Sequence, residues 1–191
     1  MESSASGPPT STPVLTAFQS LSTQNAMPSS NLRIRPAVSE DTAFILSMIH
    51  ELAAYEKLAH EVEATEASMH ASLFGERPYA EALIGECDDQ PHGFALYFHN
   101  FSTFVGKPGL YLEDLYVRPS VRGKGLGKAL LIELARIAKA RDCGRMEWAV
   151  LDWNESAIGF YESLGAEVMS DWRITRVKSD GISRLIANDS V

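Results

Sequence analysis

The sequence predicts an α/β fold in which a mixed sheet is flanked by helices. Three observations carry this. Strand-like runs alternate with stretches whose apolar residues recur at helical spacing, in the order β-α-α-β-β-β-α-β-α-β-β. Two of the strand-like runs, Glu81–Cys87 and Phe94–Phe101, are joined by the short polar link Asp88–Gly93, which makes them a hairpin. A glycine-rich turn, Arg122–Gly127, sits directly between a strand and an amphipathic helix.

The chain divides into a tail and a folded domain. Residues 1–30 are dense in Ser, Thr, Pro and Gly, with Glu2 as their only charge. They hold too little apolar surface to offset ordering entropy, which predicts disorder. The domain spans 31–191. It opens with the strand Leu32–Pro36, ended by its proline. Ser39 is the expected N-cap of a helix carrying Phe44, Ile45, Met48, Ile49 and Leu52 to about Ala54. Thr65 is expected to cap a shorter helix with Met69 and Leu73 on its core side. After the hairpin, Leu110–Val117 reads as a strand. A helix with Leu126, Leu130, Leu134, Ile137 and Ala138 on one face follows, stopped at Gly144. Met146–Leu151 is the next strand. Asn154 then caps a helix holding Ile158, Tyr161 and Leu164, with Gly165 as its stop. Two strands, Ala166–Met169 and Arg173–Val177, are expected to finish the domain.

Composition excludes several classes of function. The formal net charge of -8 lacks the basic footprint that phosphate backbones require, so no nucleic-acid partner is expected. It suits a cationic ligand. No apolar run is long enough to span a bilayer. The tail lacks the basic start and apolar core of a secretory signal and the arginines of a mitochondrial presequence. The expected compartment is the cytoplasm, with a plastid transit peptide left open. His50, His60, His70, His92 and His99 show no metal-ligand spacing, and Cys87 and Cys143 form no CxxC pair, so no metal is expected.

Arg122-Gly123-Lys124-Gly125-Leu126-Gly127 is the most informative stretch. The first amides of a helix have no backbone partner, and the helix dipole favours an anion there. Glycines allow close approach of a phosphate, while Arg122, Lys124 and Lys128 add positive charge. The turn is no P-loop: Arg122 stands where the first glycine would, and Ala129 where the hydroxyl would. Nor is it a dinucleotide fingerprint, since Lys128 occupies the place of the third glycine. What remains is R-x-x-G-x-G, suited to a diphosphate.

This turn resembles the acyl-CoA pyrophosphate motif of the GCN5-related N-acetyltransferase (GNAT) superfamily, whose sheet is mixed but mostly antiparallel. The run Asn154–Ala166 resembles the same superfamily's C-terminal element. A narrower resemblance extends over most of Leu32–Val177. It rests on Leu52-Ala53-Ala54-Tyr55-Glu56-Lys57, Phe74-Gly75-Glu76-Arg77-Pro78, Tyr111–Val117 and Asp152-Trp153-Asn154. These are similar to the diamine (spermidine/spermine) acetyltransferase family and its relatives acting on thialysine. The chain departs from that family at Tyr79-Ala80-Glu81 and in the short hairpin link.

The resemblance implies acetyl transfer from acetyl-CoA to a small cationic amine by a homodimer. Glu113 is implied as the base and Tyr161 as the acid that protonates the departing thiolate. Strand alternation points Glu113 and Asp114 to opposite faces, but the superfamily often carries a bulge here that splays the strand. Leu115, Tyr116 and Val117 are implied to lie along the donor's pantetheine arm. Backbone N–H groups of that strand polarise the thioester. Arg122–Gly127 and Asn154 complete the acetyl-CoA site. Tyr55, Glu56, Asp114 and Asp152 are implied for the acceptor, and Trp172 either closes its pocket or packs. The first expected acceptor is a di- or polyamine. The side-chain amine of thialysine, lysine or ornithine is the alternative, and a non-catalytic acyl-CoA-binding module is the reading from another class.

Overall fold

The computed structural model describes residues 31–187, so the expected tail lies outside the described residues. Five strands form one sheet in the order β1-β2-β3-β4-β5: β1 Leu32–Pro36, β2 Glu81–Cys87, β3 Gln90–Ser102, β4 Lys107–Val117 and β5 Arg145–Trp148. The first four pair antiparallel and β5 joins β4 in parallel. A parallel neighbour needs a crossover, and helix α3, Leu126–Ala140, supplies it. The mixed, mostly antiparallel sheet flanked by helices is the fold that the sequence predicts.

Each face of the sheet has its own helical cover. Leu126, Leu130, Leu131, Leu134 and Ala138 of α3 are buried, and the last four pack on Leu83, Ala95, Tyr97, Leu110 and Leu112. On the opposite face, α1 (Thr42–Tyr55) and α2 (Glu66–Phe74) bring Ile45, Met48 and Leu73 against Ile84, Phe94, Leu96 and Tyr116. Arg118, just past β4, grips Glu51 of α1 with Nε and Nη2 at 3.0 and 2.8 Å from Oε1, which fixes the last turn of α1 to the end of β4.

Caps and stops agree in part with expectation. Thr65 accepts the Ser68 amide at 3.2 Å and Asn154 accepts that of Ala157 at 3.3 Å. Ser39 does not cap α1. It opens a short 3-10 turn, Ser39–Asp41, and its carbonyl accepts from Thr42 Oγ1 at 2.6 Å. Asp41 takes over the neighbourhood because its carboxylate is claimed by the Val38 amide and by Arg35. Gly144 is not the stop of α3 either. The helix ends at Ala140, and Asp142 takes the left-handed turn at φ 53°. Gly165, at φ 90°, does follow α4 (Glu155–Ser163).

The stretch after α4 departs furthest. Ala166–Met169 and Arg173–Val177 form no strand. Alternating residues equip a segment to pair, but neither segment joins the five-stranded sheet of the described residues. A fifth helix, α5 at Ser179–Ala187, follows instead. Its signal was present in the helical spacing of Ile182, Leu185 and Ile186, masked by Gly181.

The β2–β3 hairpin is tighter than its six-residue link suggests. Both turn residues, Asp88 and Asp89, sit at positive φ, 53° and 60°. That pair of angles suits the twist of antiparallel strands but strains a residue with a Cβ. Asp88 earns its place by accepting the Asn31 amide at 3.1 Å. Asp89→Gly should therefore raise stability by about 0.5–1 kcal/mol in urea unfolding, whereas Asp88→Gly should gain less because it loses that bond.

Candidate active site

A single irregularity in β4 builds the site. The register with β3 runs Leu96↔Asp114 and then Tyr97↔Leu112, leaving Glu113 as an extra residue in a β-bulge. The bulge reverses the alternation of side chains. Leu110 and Leu112 face α3, and beyond the bulge so do Leu115 and Val117. Tyr116 faces α1 and α2, and Asp114, two residues before it, shares that side. On the other flank, β4 pairs with β5 only through Leu112↔Trp148. From Glu113 to Val117 that edge of β4 is without a strand partner, and the gap opens into a cavity of about 630 Å³.

Three walls enclose the cavity. The end of α1 contributes Leu52, Tyr55 and Glu56. The free edge of β4 contributes Glu113–Val117, and the turn into α3 contributes Val121, Arg122, Gly123, Gly125, Leu126, Gly127 and Lys128. Ala149–Leu151, Asn154 and the inner side of α4, including Phe160 and Tyr161, complete it. The structure thus brings together Tyr55, Glu56, Glu113, Asp114, Leu115, Tyr116, Val117, Arg122, Gly123, Gly125, Leu126, Gly127, Asn154 and Tyr161. Lys124, Asp152 and Trp172 do not line this cavity. Lys124 and Asp152 are turned to solvent, and Trp172 is 73% exposed in the segment that lacks strand partners. Sequence reasoning did not single out Leu52, Ala149–Leu151 or Phe160. Their plain apolar chemistry gives no signal, and only the parting of β4 from β5 exposes them to the cavity.

The acidic end is electrostatically loaded. Burial pushes the Asp114 carboxyl up to about 6, helped by the negative charges of Glu113 and Glu56. Burial also raises Glu56. The Tyr161 hydroxyl is raised by burial and by Glu56, which keeps it protonated at neutral pH. Its ring is set by Trp148 and Phe160 at centroid separations of 5.1 and 5.4 Å. The lining also carries the basic side chains Arg122 and Lys128, at the turn into α3. Arg122 is exposed yet held: Nε donates to the Val117 carbonyl at 2.8 Å, and the guanidinium lies 5.2 and 5.4 Å from the Tyr55 and Tyr116 ring centroids.

With this geometry in place, comparison with known proteins assigns the family. The acetyltransferase (GNAT) family model matches residues 46–166. The chain belongs to the GNAT acetyltransferase family. A mouse thialysine N-epsilon-acetyltransferase is 36% identical over 164 residues, covering 80% of this chain and 96% of its own. An L-ornithine N5-acetyltransferase of Arabidopsis thaliana is 31% identical over 198 residues, with 80% of this chain and 87% of its own covered. Among solved structures, a Vibrio cholerae integron cassette protein superposes with a TM-score of 0.68 at 27% identity, covering 81% of this chain and 97% of that one.

GNAT enzymes take acetyl-CoA as acyl donor, and the cavity fits such a molecule. Gly123 and Gly125 hold φ of 79° and 94°, and no atom lies within 4 Å of where a Cβ on Gly123 would stand. The turn is thus open on its outer side, beside the unpartnered amides that begin α3. No cluster of His, Cys, Asp and Glu suited to a metal ion occurs among the described residues. No helix among them is long and apolar enough to cross a membrane.

The raised Asp114 has a thermodynamic consequence. Its folded-state value of about 6 stands above the ordinary 3.8, so the folded protein binds the proton more tightly than the unfolded chain. Stability at this group is greatest below 3.8 and declines as pH rises through 6. Asp114→Asn, which cannot ionise, should stabilise the ligand-free protein by about 1–2 kcal/mol at pH 7.5. The gain should vanish near pH 4, as read by denaturant unfolding at the two pH values.

Proposed function

We propose that this GNAT enzyme acetylates a small molecule bearing two cationic amines, a diamine or polyamine of the putrescine–spermidine type. The observation that carries the reading is the charge pattern of one cavity. Glu56, Glu113 and Asp114 lie close enough together that the first two raise the third, and the same lining carries the basic side chains Arg122 and Lys128 at the turn into α3. Burial raises Asp114 and the charges of Glu113 and Glu56 add to it, and an acceptor with two positive charges relieves that repulsion. The names of the mouse and Arabidopsis relatives favour a second reading, the side-chain amine of thialysine or ornithine. Those acceptors also carry a second amine, but their carboxylate must be met by a group outside the acidic end.

The residues divide the chemistry as follows. An alkyl ammonium has a pKa of roughly 10 and must lose a proton before it can attack. Glu113, with Asp114 beside it, accepts that proton directly or through water. The freed nitrogen lone pair adds to the thioester carbonyl carbon. Backbone N–H groups on the free edge of β4, over Leu115–Val117, stabilise the negative charge that develops on oxygen. As the C–S bond breaks, Tyr161 gives its proton to the sulfur, and the nitrogen releases its second proton, through water, to the tyrosinate. Glu56 holds the second ammonium.

The deciding experiment is an acetyl-CoA assay over putrescine, spermidine, spermine, thialysine, lysine and ornithine. Spermidine or putrescine should lead. Glu56→Gln should lower kcat/KM for a diamine roughly tenfold and spare a monoamine of equal length. Tyr161→Phe should cut turnover by about 10²-fold with acetyl-CoA affinity retained. A clear lead for thialysine or ornithine, with Glu56→Gln silent, selects the second reading.

We further propose that the working unit is a dimer with a second copy of this chain. Trp172, Ile174, Leu185 and Ile186 are 73%, 73%, 65% and 72% exposed, and β5 ends the sheet with an unpaired outer edge. Exposed apolar surface on this scale, in a protein whose sheet also has an open edge, calls for a cover. Light scattering should give twice the chain mass, and Ile174→Asp combined with Ile186→Asp should return a monomer.

A further inference from the structure

Tyr55 stands at a junction that its sequence neighbourhood does not announce. The resemblance places it with Glu56 on the acceptor side. Its contacts point the other way. The ring lies under the Arg122 guanidinium at 5.2 Å, and Tyr116 takes the second ring position at 5.4 Å. Arg122 Nε is committed to the Val117 carbonyl at 2.8 Å, while its Nη groups make no hydrogen bond among the described residues. Tyr55 is itself anchored, with Oη donating to Asn154 Oδ1 at 3.3 Å and its ring 6.0 Å from that of Trp153. A single chain of contacts therefore joins the end of α1, the glycine turn and the start of α4.

We propose that Tyr55 is a positioning residue for the acyl donor, acting through Arg122. An exposed arginine samples many rotamers, and ordering it on binding costs affinity. Two aromatic faces and one carbonyl hold this guanidinium before any ligand arrives and leave its Nη groups without a hydrogen-bond partner among the described residues. Tyr55 thus contributes to donor affinity without touching the reacting atoms. This inference rests on the reading that Arg122–Gly127 receives the diphosphate.

The test compares two donors on the full-length chain. S-acetylpantetheine carries the same thioester as acetyl-CoA but ends where the diphosphate would begin. Tyr55→Leu should raise the Kd and KM for acetyl-CoA about five- to tenfold, with kcat within about twofold. For S-acetylpantetheine the same variant should stay within about twofold in kcat/KM. Tyr55→Phe keeps the ring and should rescue most of the acetyl-CoA affinity. In an Arg122→Ala background, Tyr55→Leu should add less than about twofold, because the two residues act as one unit. Equal losses with both donors, or an unchanged acetyl-CoA KM beside a raised acceptor KM, would overturn the proposal. If Arg122→Ala leaves acetyl-CoA binding in calorimetry unchanged, the diphosphate reading of the turn falls too. If that variant weakens binding and Tyr55→Leu does not, only the role of Tyr55 falls.

Discussion

The extra residue at Glu113 is the constraint on which the site depends. A sheet that kept perfect alternation through β4 would turn Asp114 toward α3 and Leu115 toward α1. One inserted residue exchanges them. Apolar side chains continue to serve the α3 core on both sides of the bulge, and a carboxylate is delivered to the end of α1. The same place marks the end of pairing with β5. Bulge and divergence together convert a continuous sheet into a walled opening, and the other elements are hung around it. The Arg118–Glu51 contact ties the last turn of α1 to the end of β4, and α3 begins where the opening ends.

The opening carries charges of both signs. Its carboxylates sit close enough that burial and mutual repulsion raise Asp114. A left-handed glycine turn and two basic side chains line the same cavity and favour an anion. On the reading proposed above, an anionic donor and a cationic acceptor answer these two groups of charge. That complementarity underlies our functional reading more than any single residue does.

Much of this was legible in the sequence because the relevant signals are local. Glycines before an amphipathic helix, an asparagine three residues before the amide it caps, and leucines at helical spacing each declare their structure over a few residues. The bulge was foreseen only through family resemblance. No local rule separates Glu113-Asp114 in a bulge from the same pair in a flat strand, because the register is set by the neighbour, β3. The failures have the same cause. Ala166–Met169 and Arg173–Val177 have strand-like alternation but do not pair into the sheet of the described residues. Ser39 was outcompeted by Asp41, whose carboxylate also serves Arg35. Trp172, expected from the resemblance either to close the acceptor pocket or to pack, does not line the cavity and is exposed.

The bare edge of β4 bears on how such an enzyme can diverge. Whatever lies along Glu113–Val117 meets main-chain N–H and C=O groups, which every amino acid except proline supplies in full. Replacement of side chains along this edge leaves that part of the machinery standing. The end of α1, by contrast, lines the cavity with Leu52 and Glu56, whose chemistry is entirely side-chain. On the proposed reading, acceptor preference is thus free to drift by substitution at a helix terminus while the transfer step persists, a division of labour consistent with thialysine and ornithine enzymes both standing within about a third identity of one chain.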